Sequence, residues 1–165
     1  MASFKLNPRL QGDLGEVIFE HYCRHNGKKE FAFLHIRTRD ILRDFLSDNV
    51  IPFKFENKIV RVEIPDDIES EIRSVCKPSN KNYASPTFTP DFLSVPIKDF
   101  FKEVDGQLKQ VKKIPSTYFN WIEVKTNDSP LSENQEGLRK KSQIGLRIFR
   151  IKADFPKTFE VTQED

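Results

Sequence analysis

The sequence predicts an α/β (α+β) domain in which a central mixed sheet is flanked by helices. A helical apolar stripe near the N-terminus, several short alternating or apolar runs, and a late strand–strand–helix–strand order predict it. At 165 residues the chain is expected to form one domain, and its fifteen Phe supply large burial surfaces.

The elements follow in order. A helix is expected over 11–26, closed by Gly27, with Asp13 as N-cap and Glu16 completing a capping box. Leu14, Val17, Ile18 and Tyr22 form its apolar stripe, widened by Phe19 and Cys23. "FAFLHI" (31–36) reads as a short strand and "TRDILRDFLSDN" (38–49) as a second helix. "KIVRVEIP" (58–65) alternates as a strand ending at Pro65, and "DDIESEIRSV" (66–75) is an acidic-started helix that suits the helix dipole. Residues 77–90 are a Pro- and Ser-containing loop, and "DFLSVPI" (91–97) is a strand. The stretch around Asp105-Gly106 is either a hairpin or a short helix followed by a strand. "YFNWIEVKT" (118–126) is the strongest strand, "SENQEGLRKKSQ" (132–143) a helix capped by Ser132, and "LRIFRIKA" (146–153) a final strand.

Charged residues make up 32% of the chain but nearly cancel, for a net charge of +2, so any nucleic-acid footprint must be local. Cys23 and Cys76 belong to no C-x-x-C pair, which argues against a zinc ribbon or a disulfide framework and suits a reducing cytoplasm. No apolar run is long enough to span a membrane, and the N-terminus lacks the apolar core of a signal peptide. His21 and His25 are spaced i, i+4 around Cys23, but no third zinc ligand is evident. There is no phosphate-binding glycine loop and no nucleophile elbow.

The chemistry centres on "WIEVKT". Alternation sends Ile122 and Val124 into a core, and Trp121, Glu123 and Lys125 to the opposite face. Alone, an E-x-K strand is commonplace. Asp91, at the mouth of the preceding strand, converges on Glu123 if the two strands are neighbours. Paired carboxylates repel unless a cation sits between them, and Mg²⁺ or Mn²⁺ accepts such ligands. Lys125 then orients a water or neutralises charge on a phosphate. Gln135 shares a helix side with Leu131 and Leu138, so its amide faces the protein and needs partners. Glu16 lies at the edge of the first helix's stripe. Local basic runs occur at Lys109, Lys112 and Lys113, at Arg139, Lys140 and Lys141, and at Arg147, Arg150 and Lys152. Trp121 and Tyr118 are either base-stacking or core aromatics.

Taken together, "GDLGE", "TPD", "IEVK" and "LSENQ" resemble the PD-(D/E)xK nuclease superfamily. "SPLSENQ" is most similar to its virus-type replication-repair group. The resemblance covers the helix at 11–27 and residues 88–153, and leaves 28–86 as an α/β insertion that would recognise substrate or form a homodimer contact. It implies a restriction-endonuclease-like core and a Mg²⁺- or Mn²⁺-dependent deoxyribonuclease, of a kind used in DNA repair. Within that class a Holliday-junction resolvase or a restriction-type endonuclease is implied, with RNA left open as a substrate. The metal ligands fall on Asp91, Glu123 and a carbonyl near Val124, the assisting lysine on Lys125, the helix glutamine on Gln135 and an outer acid on Glu16. Lys112, Lys113, Arg139, Lys140 and Lys141 are the expected nucleic-acid contacts. The alternative is an inactive nuclease-fold module that binds nucleic acid or a protein partner.

Overall fold

A computed structural model describes residues 2–25, 31–36, 49–76 and 90–163. The helix expected over 38–49, the Gly27 helix stop and most of the 77–90 loop lie outside the described residues. Among them, helix α1 (Pro8–His25), α2 (Asp66–Cys76) and α3 (Glu133–Lys141) pack around a mixed six-stranded sheet. None of these helices is long and apolar enough to cross a membrane.

The sheet contains β2 (Phe31–His35), β3 (Val50–Phe55), β4 (Lys58–Glu63), β5 (Phe92–Pro96), β8 (Asn120–Thr126) and β9 (Gly145–Ile151), in the order β4-β3-β2-β5-β8-β9. All neighbours are antiparallel except β8 and β9, which are parallel and joined through α3. Strand β2 pairs directly with β5, so β2, β3 and β4, which fall in the stretch expected as an insertion, extend the sheet that carries Asp91 and Glu123. The undecided stretch is a hairpin, β6 (Phe101–Val104) and β7 (Gln107–Gln110). Its turn residues Asp105 and Gly106 both have positive φ, 51° and 76°, the conformation that tight hairpin turns demand. A separate two-stranded ribbon pairs β1 (Ala2–Lys5) with β10 (Thr158–Val161).

Strand β3 had no counterpart among the expected elements. Pro52 interrupts "VIPFKF", and proline normally argues against an inner strand. Here the ladder between β3 and β2 is confined to Phe33 and Lys54, so the missing N–H of Pro52 breaks no bond on that side.

Two apolar layers sandwich the sheet. The larger joins Trp121, Leu93, Val95, Phe53, Val60 and Val62 to Ile68 and Ile72 of α2, with Leu138 of α3 packed against it. The smaller lies beneath α1, where Phe19 and Cys23 meet Phe92, Ile122 and Val124. The Phe19 ring centroid lies 5.3 Å from that of Phe92 and 4.9 Å from that of Phe149. Both faces of β8 are therefore covered, and its charged residues are not on an open polar face.

Helix α1 corrects two expectations. It begins at Pro8, and the Leu10 N–H donates to Asn7 Oδ1 at 2.9 Å, so Asn7 rather than Asp13 terminates the helix. Its buried face runs through Gly15, Glu16, Phe19 and Cys23. Val17, Ile18 and Tyr22, expected in the core, are 64%, 38% and 37% exposed. Gly15 decides which side docks: a Cβ there would lie 2.6 Å from Thr126 Cγ2, so only glycine lets the helix approach β8 this closely.

Candidate metal-binding and catalytic site

Register brings the two acids together. Phe92 pairs with Ile122 in the antiparallel β5–β8 ladder, so the next step sets Asp91 against Glu123. The ladder stops there. Beyond it, Asp91 Oδ2 accepts the Val124 N–H at 2.7 Å, taking the place of a backbone acceptor, while the Asp91 carbonyl accepts the Ile36 N–H at 3.0 Å from β2's side. The Asp91 carboxylate is thus held in the gap between the two strands. A strand residue directs its N–H and C=O to the same edge, so the Val124 carbonyl faces that gap as well.

Glu123 is 5% exposed. Its Oε1 accepts a short hydrogen bond from Gln135 Nε2 and lies 3.3 Å from Lys125 Nζ. Its Oε2 is buried with no hydrogen-bond partner. Gln135 is placed by local rules. Ser132 caps α3 by accepting the Gln135 N–H at 3.3 Å, and Gln135 Oε1 accepts the Ser132 N–H at 2.8 Å, a reciprocal capping box. The amide oxygen thereby closes the helix start, and the amide nitrogen is left to hold the carboxylate.

Glu16 arrives from the opposite face. It is 5% exposed and reaches the same acids from α1, while its Oε2 lies 2.9 Å from His35 Nε2. The electrostatics register this crowding. Burial, then the Glu123 charge, then Glu16 push Asp91 up to about 8, against the pull of the Val124 N–H. Burial and the Glu16 charge raise Glu123 to about 7, although Lys125 beside it pulls the other way. In the metal-free protein near neutral pH, the cluster therefore retains protons that isolated carboxyls would have lost.

The donor set suits a hard divalent ion. No three His, Cys, Asp or Glu side chains among the described residues form a metal-ligating group. Magnesium does not need one, because it commonly takes one or two carboxylates and completes its shell with water and phosphate oxygens. Asp91, the orphaned Glu123 Oε2 and the Val124 carbonyl supply oxygens of that kind. A buried carboxylate oxygen without a donor is costly unless a proton or a cation satisfies it.

The basic residues divide. Arg139 and Lys140 are exposed on α3, about one helical turn beyond Gln135; the Lys141 side chain lies outside the description. Lys112 and Lys113 are exposed but follow the β6–β7 hairpin. Lys112 neighbours Pro96 and Tyr118, at the end of β5 opposite Asp91 and roughly 17 Å away by strand rise. Arg150 uses its guanidinium to hold the Asn127 and Ser129 carbonyls, at 2.7 and 2.8 Å. Trp121 is fully buried, with Nε1 3.5 Å from Glu71 Oε1, so it is core and cannot stack on a base. Tyr118 is 49% exposed and packs edge-on against Phe100.

One neighbour of the cluster, His35, had no signal in the sequence. It is a lone histidine 19 residues from its partner Glu16, and only the β2–β5 register brings it here.

No protein-family model, curated protein or solved structure matches the chain.

Proposed function

We propose that this chain is a divalent-metal-dependent nuclease of the PD-(D/E)xK type with a restriction-endonuclease-like core, hydrolysing phosphodiester bonds in DNA. The observation that carries the reading is Glu123: a buried carboxylate with one oxygen held by Gln135 and Lys125 and the other without a partner, directly across from Asp91.

Asp91, Glu123 and the Val124 carbonyl would hold Mg²⁺ or Mn²⁺. When bound, the ion offsets the acidic charge so that a polyanionic backbone can approach, and it supplies Lewis acidity at the phosphate. The protein's own groups do the rest. Gln135 fixes the rotation of the Glu123 carboxylate, because its amide is locked by the capping box. Lys125, three-quarters or more shielded from water, keeps its ammonium at the site, where it positions the attacking water and stabilises charge developing on the phosphate. Glu16 stands behind Asp91 as an outer acid that orients solvent. Arg139 and Lys140, exposed on the helix that carries Gln135, would contact the phosphate backbone near the site.

The test is cleavage of plasmid and oligonucleotide DNA with Mg²⁺ or Mn²⁺. Glu123→Ala, Asp91→Ala and Lys125→Ala should each lower the rate by roughly 10³-fold. Equal activity in wild type and all three variants overturns the assignment. DNA or partner binding with neither cleavage nor carboxylate-dependent Mn²⁺ uptake at Asp91 and Glu123 supports the binding-only alternative instead.

A further inference from the structure

Strand β2 carries none of the residues of the E-x-K pattern, yet its end is tied to two acids of the cluster. The His35 ring stacks on Phe92, its partner across the β2–β5 ladder, with centroids 4.8 Å apart and planes at 24°. Its Nε2 meets Glu16 Oε2 at 2.9 Å. The next residue, Ile36, donates its N–H to the Asp91 carbonyl at 3.0 Å. One short stretch thus grips Glu16 through a side chain and Asp91 through the backbone. A carboxylate carrying no proton can only accept, and with such a partner the hydrogen in the His35–Glu16 contact is the imidazole's.

We infer that His35 is a positioning residue for the acidic cluster: its Nε2–H fixes the Glu16 carboxylate beside Asp91, and stacking on Phe92 fixes the imidazole. This role rests on the reading of Asp91 and Glu123 as metal ligands. Glu16 sits on a helix whose close approach to β8 leaves its backbone little freedom, but its side chain has rotatable bonds of its own. A donor at the far end removes that freedom. Groups that orient a metal site from behind typically change metal affinity or activity about 10- to 100-fold when lost.

The experiment compares wild type, His35→Phe, His35→Gln and Glu123→Ala by Mn²⁺ titration calorimetry, with DNA-cleavage kinetics and thermal melts on the same samples. His35→Phe keeps an aromatic ring on Phe92 but removes the donor, and His35→Gln restores a donor without the ring. His35→Phe should weaken Mn²⁺ binding by about 10-fold or more and lower kcat, with the KM for DNA within about twofold of wild type. His35→Gln should recover most of the affinity. Equal Mn²⁺ affinity in wild type and His35→Phe, or equal loss in both His35 variants, overturns the positioning role while leaving the nuclease reading intact. Mn²⁺ binding that survives Glu123→Ala, or is missing from wild type, overturns the metal-site reading and this role with it. Should His35→Phe fail to melt cooperatively, His35→Leu takes its place as the donor-less variant under the same criteria.

Discussion

Helices α1 and α3 each deliver one buried polar side chain to the same acids, by different physics. Helix α3 does it with four consecutive residues: Ser132 and Gln135 satisfy each other's backbone N–H groups, and the Gln135 side-chain NH₂ donates to Glu123. Helix α1 does it by shape. Gly15 removes the side chain that would hold the helix off β8, Phe19 wedges among Phe33, Phe92 and Phe149, and Glu16 is carried into the cluster between them. The first arrangement is written locally, whereas the second exists only once the sheet has formed. Losing the local device should disturb one hydrogen-bond pair; losing the packed one should loosen the whole layer.

Substitutions in each region and a pH titration sharpen that contrast. Phe19→Ala empties the centre of the α1 layer and should lower stability by about 3–5 kcal/mol in a denaturant melt. Gly15→Ala drives a Cβ against Thr126 Cγ2 and should cost about 1–3 kcal/mol. Thr126→Ser deletes that methyl, so the double variant should regain much of the loss, and a double-mutant cycle measures the coupling. If the two substitutions simply add, the close approach is not what sets the position of α1.

The acids that both helices reach provide the third break. Asp91 and Glu123 hold protons more tightly in the fold than in the unfolded chain, where carboxyls titrate near 4. Between about pH 4 and pH 8 the folded state therefore binds more protons than the unfolded state, and stability falls as pH rises through that window. The metal-free protein should melt at a higher temperature at pH 5 than at pH 8.5. Asp91→Asn should flatten the profile, and Mn²⁺ should raise the melting point most at the alkaline end. The smallest effect is expected at the α3 cap. Ser132→Ala should cost about 1 kcal/mol in a thermal melt and leave the α1 layer intact.

The same contrast explains what the sequence disclosed. The α3 cap, the β8 run and the strand that follows Asp91 are short-range patterns, and their elements stand where the spacing puts them. Helix α1 misled because its apolar residues outnumber its buried ones. Val17, Ile18 and Tyr22 look like a core stripe, while the docking face is defined by a glycine and a glutamate that no hydrophobic pattern selects. Asn7-Pro8 carried the true start signal, but the Asp13–Glu16 pair imitates a capping box more fully. Trp121 was ambiguous because strand alternation gives a face without saying whether another layer covers it. His35 depended on a cross-strand register that spacing alone does not supply.

Strand β9 ends the sheet beside β8, and no strand pairs with its outer edge among the described residues. A row of open N–H and C=O groups of this kind invites another chain to add on. Arg147, Arg150 and Lys152 are exposed along this strand and just past its end, and Arg150 also closes the turn after β8 from the side. The Arg147 and Arg150 guanidiniums bond back to Asn120 and to the turn after β8, so they set positive charge beside the edge without covering it. Positive charge beside an open edge disfavours edge-to-edge pairing, so neutralising Arg147, Arg150 and Lys152 together should raise self-association in sedimentation velocity.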